Sequence, residues 1–259
     1  MRTLIAFLML FSYSAMAKEC QSELVVSYNG DWKPYFYQFG NDLYEGIDFT
    51  LLNRVVTAMG CKVDVLPMTE ARSIIELGKG SFDISIGASY PPERAEQFYY
   101  SLPYRQEVIG VMFFNNAAHN RHTQLREVLE QGGIVGINIS GYFGDLVEAL
   151  KAQYPKQFVH GFSLPERIAM LSQGKVDAVV DDRGALCHQM KGLRVTSLSS
   201  LSEEDSDLVL SDEILHDNEV FFLFSRLTVD KAYVESFNHH LSNVLSQPSE
   251  TNMQCYERP

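Results

Sequence analysis

The residues best suited to recognition chemistry fall in two short stretches. Asp83 to Arg105, DISIGASYPPERAEQFYYSLPYR, carries Gly87, Ser89 and Arg94 just past a β-rich run, Phe82 to Ile86. The planar fork of an arginine donates two parallel charge-assisted hydrogen bonds, which suits a carboxylate. Val176 to Asp182, VDAVVDD, ends in the doublet Asp181 and Asp182. A cation delivered by one stretch and an anion by the other suit a zwitterionic guest, each charged hydrogen bond contributing about 1.5–3 kcal/mol. Several such bonds, less the ordering costs, reach about −8 kcal/mol, or micromolar affinity. The plainer alternatives are a solvated Arg94 in its ERAE run, and a helix cap for one of the two aspartates.

Three further groups stand near these. The aromatic run Trp32-Lys33-Pro34-Tyr35-Phe36-Tyr37 follows the first predicted strand, and Pro34 keeps it out of a helix, so Trp32 is expected in a loop where a ligand could stack. Glu70 and Arg72 sit where a strand turns into a helix and are expected either to pair at the surface or to reach a ligand's far end. Arg72 or Arg105 in a pocket would favour an acidic guest and Glu70 a basic one; the sequence does not choose. His119 and His122 lie three apart in a polar loop with no acidic third ligand, so no metal is predicted, and no cofactor motif is present. There is no G-x-S-x-G, H-E-x-x-H or Walker pattern either.

The elements that must position these residues read as strands alternating with helices. Leu24 to Tyr28 is a strand, Phe49, Leu52, Val55, Val56 and Met59 form a helical stripe stopped by Gly60, and Val63 to Leu66 is the second strand. A helix over Ala71 to Leu77 leads through Gly80 to the strand before Ser89, and this alternation predicts βαβ units. Val108 to Phe114 is a continuous apolar strand, buried on both faces, and the polar stretch Asn115 to His122 reads as a crossing between lobes. A second set follows: Ile134 to Ile139 as strand, the stripe Phe143, Leu146, Val147 and Leu150 as helix, Phe158-Val159 as a short strand, and Ser163, Pro165 and Glu166 as a helix start. The chain then echoes itself, Leu171 to Ala178 (LSQGKVDA) repeating the Leu, Gly and Asp of Leu77 to Ile84 (LGKGSFDI). Val220 to Phe224 is the return crossing, and the helix with Val234, Phe237, His240, Leu241 and Val244 packs back on the first lobe.

The totals bound the class. Met1-Arg2, the apolar Leu4 to Phe11 and Ala15-Met16-Ala17 read as a cleaved secretory signal, residues 1–17, too short to span a bilayer. Without it 242 residues remain, with 20 basic against 33 acidic side chains, a formal charge of −13. An anionic membrane surface or nucleic acid is then an unsuitable partner. Cys20, Cys61, Cys187 and Cys255 in an exported chain predict two disulfides out of three possible pairings. Cys20 and Cys61 each precede a predicted strand at the same end, which favours Cys20 with Cys61 and leaves Cys187 with Cys255.

These residues resemble the bacterial extracellular solute-binding proteins of family 3, the periplasmic receptors of polar amino acid ABC importers. The resemblance covers essentially the whole chain after residue 17 and rests on Gly46-Ile47-Asp48, the Gly-x-Phe-Asp strand, Ser89 to Arg94, Ser101-Leu102-Pro103-Tyr104 and Val176 to Val180. It implies an α/β, two-lobed periplasmic-binding-protein-like fold of type II, each lobe a mixed, mostly parallel sheet flanked by helices. The implied division is 18–114 with 219–259 as lobe 1 and 115–218 as lobe 2. It also implies a monomer that closes on a small ligand, an amino acid or analogue, and presents it to an ABC permease of the inner membrane. Carried over, Arg94 holds the carboxylate, Ser89 and the Gly87 backbone contact carboxylate or ammonium, and Asp182 takes the ammonium. Ser140 and Gly141 hold the carboxylate from the other lobe, and Trp32 stacks. The chain departs from the family in Pro91-Pro92, where Thr is common, in Thr50, and in the Asp181-Asp182 doublet, which leaves open which acid faces the ligand. An exported enzyme on the same fold, resembling the cyclohexadienyl dehydratases, and a freestanding sensory module are the alternatives.

Overall fold

A computed structural model describes residues 23–114, 123–138, 140–160, 163–197 and 208–247. The expected signal segment, Cys20, Cys255 and the Asn115 to His122 crossing with its two histidines lie outside them.

The first half runs β1 (Leu24–Tyr28), β2 (Tyr37–Gln38), β3 (Tyr44–Glu45), α1 (Ile47–Ala58), β4 (Val63–Pro67), α2 (Glu70–Gly78), β5 (Ile84–Ala88), α3 (Pro92–Ala95), β6 (Phe98–Tyr100) and β7 (Arg105–Phe114). The second continues α4 (Leu125–Glu130), β8 (Val135–Gly136), α5 (Asp145–Gln153), β9 (Phe158–Val159), α6 (Leu164–Ser172), β10 (Ala178–Asp182), α7 (Arg183–Ser197), β11 (Leu208–Leu210), β12 (His216–Ser225) and α8 (Lys231–Leu245). No helix among the described residues is long and apolar enough to cross a membrane.

The strands order as β4-β1-β5-β12-β7-β10-β8-β9, with β6 on β12 and β11 on β7. β1 pairs in parallel with β4 and β5, and β8 in parallel with β10 and β9, as βαβ units require. The two long strands join the halves. β12 lies antiparallel to β7 through His216–Val220 and to β5 through its apolar end, while β7 turns its own apolar end to β10. The expected Val220 to Phe224 strand therefore starts four residues earlier, because His216 to Glu219 alternate in burial and do not read as an apolar run.

Each half has its own packing. Phe49, Leu52, Val55 and Val56 of α1 meet Phe237, Leu241 and Val244 of α8 over β1 and β12, so the stripes read in the sequence are the buried faces. In the second half Val147 and Leu150 of α5 pack with Val128, Val135 and Val180. The expected stripe from Phe143 needs correction. Gly144, at φ 91°, starts the helix at Asp145, so Phe143 is buried ahead of it and Leu146 faces solvent at 41 % exposure. Ser163 and Glu166 close a reciprocal cap on α6, as their spacing predicts. Leu24 pairs with Val63, which sets the leading ends of β1 and β4 side by side. Cys61 and Cys187 are each engaged in a disulfide and no described cysteine is free, while the partners expected for them, Cys20 and Cys255, lie outside the described residues.

Candidate functional site

Local structure brings the first half's groups to one place. After β1 the chain bends through Trp32, which bridges to Phe36, and Gly46 at φ 126° lets α1 begin against this bend: a Cβ there would lie 2.1 Å from the Tyr35 carbonyl oxygen. The backbone N–H of Asp48 then donates to that carbonyl. At the end of β5, Gly87 takes φ +76°, and an added Cβ would lie 2.5 Å from Cζ3 of Trp32. Glycine is thus required there twice, for its backbone conformation and for the close approach of the indole.

Between the halves lies a cavity of about 110 Å³. The first half lines it with Ser27, Asn29, Trp32, Glu70, Gly87, Ser89 and Glu107, and the second with Asn138, Gly141, Tyr142, Asp181 and Asp182 among others. The site residues read from the sequence divide accordingly. Trp32, Gly87, Ser89, Gly141 and Asp182 meet at this cavity; Arg94, Ser140 and Arg72 are not in its lining.

Arg94 instead lines a second cavity, of about 350 Å³, with Glu93, Tyr142, Glu148 and Lys151, and Gly141 borders both. Its Nη2 donates to the Ser140 carbonyl oxygen at 3.1 Å, and burial pulls the guanidinium's pKa down. Ser140 holds the halves together a second time, its hydroxyl donating to the Glu70 carbonyl oxygen at 2.7 Å. Arg72 is exposed. The expected surface pair of Glu70 with Arg72 does not form, because residues two apart on a helix point to different faces. Glu70 pairs instead with Arg167, Oε2 to Nη1 at 2.8 Å, and the other arm of that arginine meets Asp181 Oδ2 at 2.6 Å.

The carboxylates at the cavity are held by protein donors. Trp32 Nε1 donates to Asp181 Oδ1 at 3.0 Å. Asp182 Oδ1 accepts from the Tyr35 hydroxyl at 2.6 Å and from the Ala185 N–H at 2.9 Å. Asp182 is therefore the cap of α7, and the alternative read for one aspartate of the doublet holds for it. Its other oxygen, Oδ2, is buried without a hydrogen-bond partner, 3.7 Å from Arg105 Nη1. Arg105 itself is buried, bonded through Nε to both oxygens of Asp48 at 3.1 Å and laid 3.9 Å from the Tyr35 ring centre.

Glu107 is one of the residues that sequence reasoning missed, with Arg167 and Asn29. It sits near the start of β7, 4 % exposed, accepting from the Ser89 hydroxyl at 2.8 Å and from Asn218 Nδ2 at 3.0 Å. The available signal was an acid opening the uninterrupted apolar run Val108 to Phe114. Burial pushes Glu107 and Glu70 up to about 7 and Asp182 up to about 6, with the neighbouring arginines Arg105 and Arg167 opposing the rise. The donors of Ser89, Trp32 and Tyr35 are occupied by protein acceptors, as is the Gly87 N–H, which donates to the Tyr104 hydroxyl at 3.0 Å.

Comparisons with known proteins bear on this arrangement. Residues 24–133 match the family model for bacterial extracellular solute-binding proteins, family 3. A curated relative, a cyclohexadienyl dehydratase from Pseudomonas aeruginosa, is 24 % identical over 192 residues, which are 70 % of this chain and 69 % of that one. Among solved structures, holo ArgBP from T. maritima is similar at TM-score 0.70 and 19 % identity, covering 88 % of this chain and 92 % of that one. An amino acid ABC transporter substrate-binding protein from Streptococcus pneumoniae, bound to L-arginine, is similar at TM-score 0.67 and 20 % identity, covering 86 % and 89 %. The two-lobed fold of these binding proteins is the fold of this chain.

Proposed function

From a chain that resembles the family 3 extracellular solute-binding proteins in sequence and has their two-lobed fold, we propose a periplasmic receptor that closes on a small ammonium-bearing ligand, an amino acid or close analogue. The observation that carries this reading is the cavity of about 110 Å³ lined from both halves. A guest there touches both lobes only when they are closed, so it binds the closed state more tightly and shifts the population towards it. The same halves are latched by Trp32 to Asp181, Tyr35 to Asp182 and Arg167 to Glu70.

Residues 18–114 with 219–259 form one lobe and 115–218 the other in this reading. The segment 1–17 directs export and is removed, the protein acts as a monomer, and the closed form delivers its ligand to an ABC permease. No chemistry is done on the ligand. The relative from Pseudomonas aeruginosa makes the enzymatic alternative worth a direct assay, and no turnover of prephenate or arogenate is expected.

The testing experiment is a thermal-shift screen of the purified protein against the twenty amino acids, small amines, sugars and carboxylates. A ligand at 100 times its dissociation constant adds about 2.7 kcal/mol, a rise of roughly 5–10 °C for a protein of this size. Shifts confined to ammonium-bearing compounds support the receptor. Silence across the panel, or turnover of a cyclic carboxylate, overturns it.

A further inference from the structure

A groove outside the cavity between the halves runs from the turn after β1 to the end of α8. It is lined by Pro34, Tyr37 and Glu45 from the stretch between β1 and α1, by Arg54 of α1, and by Leu245 and Gln247, and it shares no lining residue with that cavity. Leu245 is 42 % exposed, although Leu241 and Val244 of the same helix are buried. Arg54 Nη2 donates to Gln247 Oε1 at 2.8 Å, and no described carboxylate pairs with this guanidinium.

The chain that leaves this groove is tied at its other end. Cys61 and Cys187 are both in disulfides, yet they sit in different halves, Cys61 in the core with α1 and α8 and Cys187 on α7, so their partners are Cys20 and Cys255. The Leu24 N–H donates to the Lys62 carbonyl oxygen at 2.8 Å, which puts Cys20, earlier on the same chain, within about 14 Å of chain reach of Cys61. Cys255 is then left for Cys187. Pro248 lacks the N–H that would continue α8, and the stretch Pro248 to Cys255, PSETNMQC, spans up to about 26–29 Å when extended. Pro34, at the groove's other end, adjoins α7: Tyr35 packs with Ala185 and Leu186, and burial together with the charge of Lys33 pulls the His188 pKa down. The groove thus starts where this stretch leaves α8 and ends beside the helix that carries Cys187.

We propose that residues 248–255 dock along this groove as a strap, with Glu250 on Arg54 and a disulfide from Cys255 to Cys187. Glu250 is the one acid between Gln247 and Cys255, and it answers the one unpaired cation of the groove's lining. The bond forms by exchange with a disulfide oxidant of an oxidising compartment: the two thiols lose two protons and two electrons, and the oxidant is reduced to its dithiol. Among the described residues β7 and β12 are the strands that join the halves. The strap adds a covalent crossing, from the last helix of the first half to the helix that follows Asp182 in the second, and so limits how far the halves open. This rests on the two-lobed fold and the disulfides, and not on the receptor reading.

The test begins with mass-spectrometric mapping of the full-length protein, digested without reductant. Linked peptides joining Cys187 to Cys255 and Cys20 to Cys61 are expected; a Cys61 to Cys255 link overturns the strap. Hydrogen exchange then compares the native protein with the double variant Cys187→Ser/Cys255→Ser and with Arg54→Glu, in which the disulfide remains. Amides at Tyr37, Tyr44, Leu245 and Gln247 are expected to exchange at least tenfold faster in the double variant and faster in Arg54→Glu, with β4 and α2 unchanged. No acceleration in either variant overturns the docking and gives the groove to a second copy or another protein. Acceleration spread evenly over β4 and α2 reports general loosening and overturns it too. Solution scattering of the ligand-free proteins reads the tether: the double variant is expected to have the larger radius of gyration, and an equal radius shows that the strap does not limit opening.

Discussion

Arg167 Nη1 stands 2.8 Å from Glu70 Oε2 while Nη2 stands 2.6 Å from Asp181 Oδ2, so one guanidinium, 1 % exposed, ties a carboxylate of the first half to one of the second. Removing one partner of a buried ion pair leaves the other charge without compensation, which costs about 3–5 kcal/mol. Arg167→Met is accordingly expected to lose about that much stability at pH 7.5, measured by thermal or urea unfolding. Adding Glu70→Gln should restore part of it, since one of the two stranded carboxylates is then gone. A loss below about 1 kcal/mol would place the pair in the class of solvated surface bridges.

The raised acids give the protein a pH dependence of definite sign. Glu70 and Glu107 move from 4.5 to about 7 and Asp182 from 3.8 to about 6, chiefly because burial disfavours their charged forms. Between pH 4.5 and 7 the native state then binds more protons than the unfolded chain, so stability falls as pH rises through that window. His188, pulled below 6.5 by burial, acts in the opposite sense. Comparison with Glu107→Gln removes that contribution: the wild type should lose more stability than the variant between pH 5 and 7.5. A cationic guest should also release protons on binding at pH 6, read by calorimetry in two buffers of different ionisation enthalpy. Identical pH profiles for wild type and variant would show that Glu107 does not titrate in this window.

Gly87 and Trp32 form a steric pair. A Cβ on Gly87 would lie 2.5 Å from Cζ3 and 2.9 Å from Cη2 of the indole, and the φ of +76° disfavours any side chain there. Gly87→Ala should cost about 1–2 kcal/mol in backbone strain and a further 1–3 kcal/mol from crowding. It should also weaken ligand binding, since the displaced indole loses its bond to Asp181. In the Trp32→Ala background only the strain should remain. A double-mutant cycle with less than about 0.5 kcal/mol of coupling would mean that the ring moves aside freely.

How far the sequence could be read depended on how local each signal was. The α1 stripe of Phe49, Leu52, Val55, Val56 and Met59 was legible because a 3.6-residue period needs no knowledge of the partner, and each of these residues is buried. The cavity required pairings that sequence spacing does not carry. Glu70 looked like a neighbour of Arg72, yet its partner lies 97 positions away on α6. Arg94 had the right chemistry for a carboxylate, but its segment turns it to the Ser140 carbonyl and the second cavity. Glu107 was masked by the apolar strand it opens, since a lone acid beside Val108 to Phe114 carries no periodic signal.

The internal echo was legible, and it gives the last prediction. In the first half the Asp83 N–H donates to the Val25 carbonyl oxygen at 2.9 Å, and the Val25 N–H returns a bond to Asp83 Oδ2 at 2.7 Å. In the second half the Asp177 N–H donates to the Ile134 carbonyl oxygen at 2.7 Å, and the Ile134 N–H returns a bond to Asp177 Oδ2 at 2.7 Å. Each aspartate of the Leu-Gly-Asp repeat therefore pins the start of its strand to the chain leading into or through the neighbouring strand. The first bond is partly buried and the second exposed. Because hydrogen bonds to charged groups are worth about 1.5–3 kcal/mol and less where water competes, Asp83→Ala should cost about that much and Asp177→Ala about 0.5–1.5 kcal/mol. The two sites lie in different halves and share no partner, so the double variant should lose the sum within about 0.5 kcal/mol. Chemical unfolding of the four proteins checks both points, and a larger loss from Asp177→Ala than from Asp83→Ala would show that burial does not rank these two bonds.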